Sequence, residues 1–421
     1  MRVKQLLPVA VVAAIPALSA QTQGPGAFTA PGAVAITNAN VVGTRTGDVI
    51  RNTTVFVRDG KVVSIGVPVP AGSAVIDVRG RYVVPGLIDG HTHIADFASA
   101  RRALDSGVTT VRSAGVSNYA DVGLRELAKK GAIAGPEVFA AGYHVQPQLA
   151  FEAFLSDPAL SPFMNGRVTT ADAIRQVVRT NLSHGVDWIK THSTERAGLP
   201  DTDPRKQVYT DADVKVMVDE AAAKGIPIMA HAHGEEGGLA AVKAGVRSIE
   251  HGTYLSEEAL KLMKEKGTFF VPTYSVVIDV VQPGGEVDNP GLHLRGSHMM
   301  PRLRETTGRA YKLGVKIVAG TDTLYGPNSV TRIAHEVAAF VEIGMTSLQA
   351  LQSGTTVAAE LLGAEKRLGV IEPGFEADLI VVERNPLEYV QTLQDPLLVV
   401  SNGRVALNRL DFGRTDRMKT P

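Results

Sequence analysis

Cysteine is absent from all 421 residues, which excludes disulfides, zinc ribbons, thiol nucleophiles and a lipidated N-terminal cysteine. Any metal held by this chain must use His, Asp, Glu or Lys. An excess of one charge is missing too. Lys plus Arg and Asp plus Glu number 43 each, so no global field favours nucleic acid or an anionic membrane, and neither is expected as a partner. The apolar run 6–18 is too short to span a bilayer stably. It follows Arg2 and Lys4 and precedes Ser19-Ala20-Gln21, the layout of a secretory signal peptide over 1–20. A secreted or periplasmic protein is the expectation, with 21–33, rich in Gly, Pro, Thr and Ala, as a flexible lead-in.

What is present falls into two grammars. From 34 to 83 short β-branched runs alternate with turn signals, among them the hairpin turn Arg58-Asp59-Gly60. The same grammar returns near the far end, at Ala377-Asp378-Leu379-Ile380-Val381-Val382 and at 397–400 before Ser401-Asn402-Gly403. The two ends, 34–83 and 372–412, are therefore expected to form one composite β-sandwich domain, followed by a tail over 413–421. Between them, 84–371, strands alternate with helical stretches, the signature of a parallel sheet with crossover helices. Eight candidate strands can be placed: 82–88, 109–112, 138–141, 188–190, 226–230, 248–249, 268–271 and 316–319. Eight parallel strands in so long a segment predict a closed (β/α)8 TIM barrel. An open doubly wound sheet is the alternative, but no Gly-rich phosphate-binding turn follows the first strand.

In such a barrel the chemistry sits where strands end. The first strand ends in Gly90-His91-Thr92-His93, whose imidazoles, two residues apart on extended backbone, leave the same side and can meet one ion. Gly90 is read as the place where the backbone turns sharply. The fourth strand ends at Lys190, the fifth at His231, the sixth at His251 and the eighth at Asp322. An amine closing the apolar strand Asp187-Trp188-Ile189-Lys190 must be neutralised. It does so either as a carbamate bridging two divalent ions or as an ion pair with Asp187 or Asp322. Four neutral imidazoles suit zinc or a similar ion, and Asp322 can ligate one ion and accept a proton from a bridging water, or simply cap a helix.

Together, 86–93, Lys190, His231, His251, Asp322 and Gly369-Val370-Ile371-Glu372-Pro373-Gly374-Phe375-Glu376-Ala377-Asp378-Leu379 resemble the metal-dependent amidohydrolase superfamily, in particular its prolidase-like and ochratoxinase-like amidases. The resemblance implies two zinc ions, one on His91, His93 and Asp322, the other on His231 and His251. N6-carboxylated Lys190 and a hydroxide would lie between them. It implies hydrolysis of an amide bond in N-acyl amino acids or dipeptides, ochratoxin A among them, with Asp322 carrying the proton to the departing amine. His144, after the third strand, is a candidate to bind the substrate carbonyl or carboxylate, and Tyr254 and His233 are further substrate-binding candidates. After the matching Arg, here Arg112, relatives often carry an acid; this chain departs from them with Ser113. Phe151, Phe154, Leu155, Phe163 and Met164 are read either as the wall of a pocket or as the contact of a homo-oligomer.

Rival readings are weaker. A single-metal deaminase or cyclic-amide hydrolase, imidazolonepropionase-like, would place a shuttling Glu three residues after His231, where Gly234 stands and Glu235 comes one later. A two-carboxylate glycosidase needs paired acids at strand ends, and only Asp322 fits. A barrel that has lost its chemistry would lack several ligands.

Overall fold

The structure, a computed structural model, describes residues 32–286 and 289–411. The expected signal peptide, most of the lead-in and the tail over 413–421 lie outside the described residues. Among the described residues no helix is long and apolar enough to cross a membrane.

The first part of the chain makes β1 (Val34–Val42), β2 (Val49–Arg58), β3 (Lys61–Ile65), β4 (Ala74–Asp77) and β5 (Tyr82–Pro85). The β2–β3 hairpin turns at Asp59 and Gly60, with φ of 50° and 76°, the left-handed pair that matches strand twist in a two-residue turn. The central strands are β6 (Leu87–Thr92), β7 (Val108–Ser113), β8 (Glu137–Phe139), β9 (Ile189–His192), β10 (Ile228–Ala232), β11 (Ser248–His251) and β12 (Phe269–Val271). The last three are β13 (Leu379–Val382), β14 (Leu398–Ser401) and β15 (Arg404–Asn408). Both ends of the chain share one eight-stranded sheet in the order β15-β14-β13-β5-β1-β2-β3, with β4 on β1. The sheet curls back on itself, since the Val62 N–H reaches the Phe375 carbonyl at 2.9 Å and the Ala377 N–H reaches that of Gly60 at 2.9 Å. Ile36, Val55, Val83, Leu379 and Val400 fill its core.

The apolar run 82–88 is not one strand. It divides at Gly86 into β5, which pairs with β1 and β13, and β6, which pairs with β7. Apolarity alone could not mark the break, because both halves are buried. Gly86 marks it sterically: a Cβ there would lie 2.2 Å from Thr109 Oγ1.

The middle of the chain has a TIM-barrel-type α/β fold. Parallel pairing joins β6-β7-β8 and β9-β10-β11-β12, and isolated parallel bridges Val145↔Thr191, Phe270↔Ile317 and Thr92↔Thr323 connect the groups. The segment 316–319, expected as the eighth strand, forms no ladder. Its backbone groups are divided among Phe270, Gly90 and Ser353, so consecutive pairings with one neighbour do not accumulate. Gly90 plays a different part from the expected sharp turn. Its N–H donates to the Ala319 carbonyl at 2.9 Å, and a Cβ would stand 2.8 Å from Val318 Cγ1 and 3.0 Å from that oxygen. Close approach, not φ, requires glycine within β6 just before the metal-type histidine.

Asp378 fastens the terminal sheet to the central part. Its carbonyl accepts the Gly86 N–H at 2.8 Å and its carboxyl accepts the Asn402 N–H at 2.7 Å, while the second carboxyl oxygen is buried without a partner. Burial, aided by Glu376 and Glu137, pushes this carboxyl up from 3.8 to about 8. Its folded pKa lies above the unfolded one, so its contribution to stability is full below about pH 4 and is lost as pH rises towards 8. Asp378→Asn should flatten that part of the profile: thermal unfolding from pH 5 to 8.5 should show a smaller fall in Tm than wild type. Glu336, also pushed up to about 8 by burial, would leave a residual slope. Equal slopes in both proteins would contradict this role.

Candidate metal centre

Each metal-type side chain is delivered by a strand end or by the segment just after it. His91 is in β6, Lys190 in β9, His231 in β10 and His251 in β11. His93 follows β6, His233 follows β10 and Asp322 follows the bridge-bonded segment, its N–H donating to the His91 carbonyl at 2.7 Å. His251, Thr273 and Asp322 have φ of 74°, 57° and 57°, a left-handed backbone that costs energy in non-glycine residues and gathers at functional sites.

The ring nitrogens are committed in a telling way. His91 Nδ1 lies 2.5 Å from Glu250 Oε2, and His93 Nδ1 donates to the Gly115 carbonyl at 2.7 Å. Both rings therefore direct Nε2 lone pairs inward, where Asp322 Oδ1 stands 3.3 Å from one and 3.0 Å from the other. Two ring nitrogens and a carboxylate converging in this way form a donor set that fits a divalent ion of the zinc type. His231 likewise donates Nε2–H to the Glu195 carbonyl at 3.2 Å, leaving Nδ1 free. His251 and His233 are tethered through Nδ1 to Thr273 and Thr253 at 2.8 and 2.9 Å. Two groups result, His91-His93-Asp322 and His231-His233-His251, each with potential ligand atoms within 4.8 Å of one another. His233, read from sequence as a substrate contact, thus stands with the second group of ligand-type residues.

Burial sets the protonation. It drives His144, His192, His231 and His251 well below the usual imidazole range, and His233 down to about 3, so these rings are neutral, as metal ligation requires. Burial opposes ionisation of Asp322, but His91, His93 and His251 outweigh it and hold its carboxyl well below the usual range. Lys190 is 2% exposed, and burial lowers its amine from 10.5 to about 8 against the pull of Glu250 and Asp322. Its Nζ is 3.5 Å from His91 Nε2. Asp187 is not its partner, being bound to Arg125 at 2.7 Å and to the Ala140 N–H at 2.8 Å.

A cavity of about 640 Å³ opens over these groups, within the range usual for small-molecule sites. Seven histidines line it, including His144 and His192, whose rings lie 4.8 Å apart. His192 was not singled out from the sequence, although its place two residues after Lys190 puts both on the same side of β9. Tyr254 is half-buried and does not line the cavity, and none of Phe151, Phe154, Leu155, Phe163 and Met164 does. Phe154 is buried in the main core, while Phe151, Leu155 and Met164 are exposed. The apolar wall comes instead from helices Tyr274–Val281 and Pro290–Leu313.

The acid that meets Arg112 comes from β11. Glu250, with no exposed surface, takes Arg112 Nη2 at 2.9 Å, Ser248 Oγ at 2.5 Å and His91 Nδ1. Burial would raise its carboxyl, but the Arg112 charge and the His91 hydrogen bond prevail and bring it down to about 2. Glu250→Gln would strand the buried Arg112 and loosen His91. We expect metal affinity, read by chelator competition, to fall about 10- to 100-fold, and denaturant unfolding to register a loss of about 3 kcal/mol. Unchanged affinity and stability would contradict the assignment.

Comparison with known proteins shows the family. The amidohydrolase family matches residues 82–406. Ochratoxinase of Aspergillus niger is 30% identical over 358 residues, covering 75% of this chain and 73% of that protein. A solved Xaa-Pro dipeptidase with bound methionine superposes with a TM-score of 0.78 at 28% identity, over 89% of this chain and 99% of that one. A prolidase complexed with N-methylphosphonate-L-proline gives the same TM-score, identity and coverage. With a family match over most of the chain and relatives of this kind, the chain belongs to the amidohydrolase family, as a hydrolase acting on amide bonds.

Proposed function

We propose that this enzyme hydrolyses the amide bond of N-acyl amino acids or dipeptides, with ochratoxin A among the candidate substrates, using two divalent ions, zinc being the simplest choice. The observation that carries the reading is the pair of inward-facing groups, His91-His93-Asp322 and His231-His233-His251, with Lys190 buried beside them. His91, His93 and Asp322 would hold one ion, and His231 and His251 the other. The dipeptidase, prolidase and ochratoxinase relatives support an amino-acid derivative as substrate. The bridges between the parallel groups support a closed eight-stranded barrel, with the shared terminal sheet as a companion domain. The N-terminal sequence supports an exported enzyme, and the exposed Phe151 and Leu155 support assembly with further copies.

When bound, the ions would supply a water nucleophile at neutral pH and polarise the scissile carbonyl. Asp322, held ionised, takes the proton released from the attacking water and delivers it to the departing amine. His144, neutral and facing the cavity, donates a hydrogen bond to the substrate carbonyl or carboxylate. With its amine pKa near 8, Lys190 presents enough free base for its nitrogen to bond to carbon dioxide, releasing a proton and leaving a carbamate with two anionic oxygens. Deamination is disfavoured by Glu235, which starts the helix Glu235–Ala244 exposed and away from the cavity.

Dialysis against a chelator should abolish hydrolysis of an N-acyl amino acid and dipeptide panel, and zinc should restore it. Lys190→Ala should lose metal and turnover together, with partial rescue by a small carboxylic acid. A variant keeping two ions per chain and full turnover would overturn the bridging role, and a fully metal-loaded wild type inert on the panel would overturn the substrate class.

A further inference from the structure

The charges lining the cavity do not balance within the protein. Besides the metal-type groups, the lining carries one acid, Glu286, and two guanidinium groups, Arg196 and Arg295. Glu286 is occupied: its carboxylate accepts the Leu324 and Gly326 N–H groups at 3.0 and 2.8 Å. Arg295 is occupied as well, since it donates to the carbonyls of Ala197, Leu199, Pro200 and Thr202 at 2.7, 2.6, 3.0 and 2.7 Å. The guanidinium of Arg196, exposed on that same loop after β9, makes no hydrogen bond or ion pair among the described residues, while its backbone carbonyl accepts the Thr202 hydroxyl. One cation at the mouth is left for an anion that the protein does not provide.

The helix that carries Arg295 also carries much of the apolar wall. Leu292, Met299 and Leu303 line the cavity from Pro290–Leu313, and Val276 and Val280 line it from Tyr274–Val281. The two helices touch closely at Gly296, where a Cβ would lie 2.8 Å from Val281 Cγ1 and 3.1 Å from Val280 Cγ1. The four carbonyls on Arg295 therefore fix the Arg196 loop to the very helix that presents the wall. A free guanidinium and an apolar surface are held in register by one side chain.

We propose that the preferred substrate is an acylated amino acid with a bulky apolar side chain, seated against Val276, Val280, Leu292, Met299 and Leu303, whose free carboxylate is bound by Arg196. Arg295 is the positioning residue that sets Arg196 for it. This rests on the amide-hydrolase reading above and names the substrate class of the same site.

The test is acetate release by the zinc-loaded full chain from N-acetyl-L-phenylalanine, N-acetyl-L-phenylalaninamide and N-acetylglycine. Wild type should favour the first over each of the others. In Arg196→Gln the loss on N-acetyl-L-phenylalanine should exceed the loss on its carboxamide by about tenfold, carried mainly by KM, and Arg196→Lys should recover part of it. Arg295→Gln should erode the same carboxylate discrimination with zinc content unchanged, which a merely structural lesion would not do selectively. Val280→Thr, nearly equal in volume, should shrink the preference for phenylalanine over glycine. Equal losses on carboxylate and carboxamide, or a wild type active on all three without preference, would overturn this inference alone. A wild type active on dipeptides but on none of these three would overturn this inference alone, and one inert on both sets would overturn the proposed function with it.

Discussion

Glu250 is the side chain on which the centre depends. A carboxylate with no access to water is costly unless charges and donors surround it, and here Arg112, Ser248 and His91 do so. Arg112 is itself fully buried, lies 4.6 Å from the Trp188 ring, and donates to the Gly90 carbonyl at 2.6 Å. One network thus joins β6, β7 and β11 across the interior, fixes which nitrogen of His91 carries the proton, and leaves the other for a cation. The chemistry at the surface of the cavity is set by an ion pair beneath it.

Above that layer the site is uneven by construction. The floor is polar and crowded with neutral imidazoles, and one wall is apolar and helical. The residues at the junction, His251, Thr273 and Asp322, adopt left-handed backbone, a local cost borne by the surrounding hydrogen bonds. Thr273 links the two regions directly, holding His251 Nδ1 at 2.8 Å and preceding the wall helix, whose first N–H groups are received by the buried carboxyl group of Glu336. A short chain of hydrogen bonds thus ties the start of the wall helix to a metal-type residue.

Much of this was legible in the sequence. His91, His93, Lys190, His231, His251 and Asp322 each interrupt or follow an apolar run, and that conflict between residue type and setting points to function. Glu250 showed no such signal. Its partners His91 and Arg112 are 159 and 138 positions away, and an acid beside a histidine does not disclose which way it points. The wall was hidden for the opposite reason: Val276, Val280 and Met299 are indistinguishable in type from core residues. The apolar set at 151–164 could be read as a pocket wall or as a subunit contact because its division between core and solvent is tertiary. Gly86 and Gly90 follow the same logic, each required by an approach that local sequence does not display.

The central claim is that two cations sit on opposite sides of Lys190, held by side chains distant in sequence. Anomalous diffraction at the zinc edge from crystals of the metal-loaded protein addresses it directly. The account predicts two peaks, one coordinated by His91, His93 and Asp322 and one by His231 and His251, with density for a carboxyl group on Lys190 Nζ reaching both. A single peak, or two peaks with an unmodified Lys190 remote from either, would contradict it.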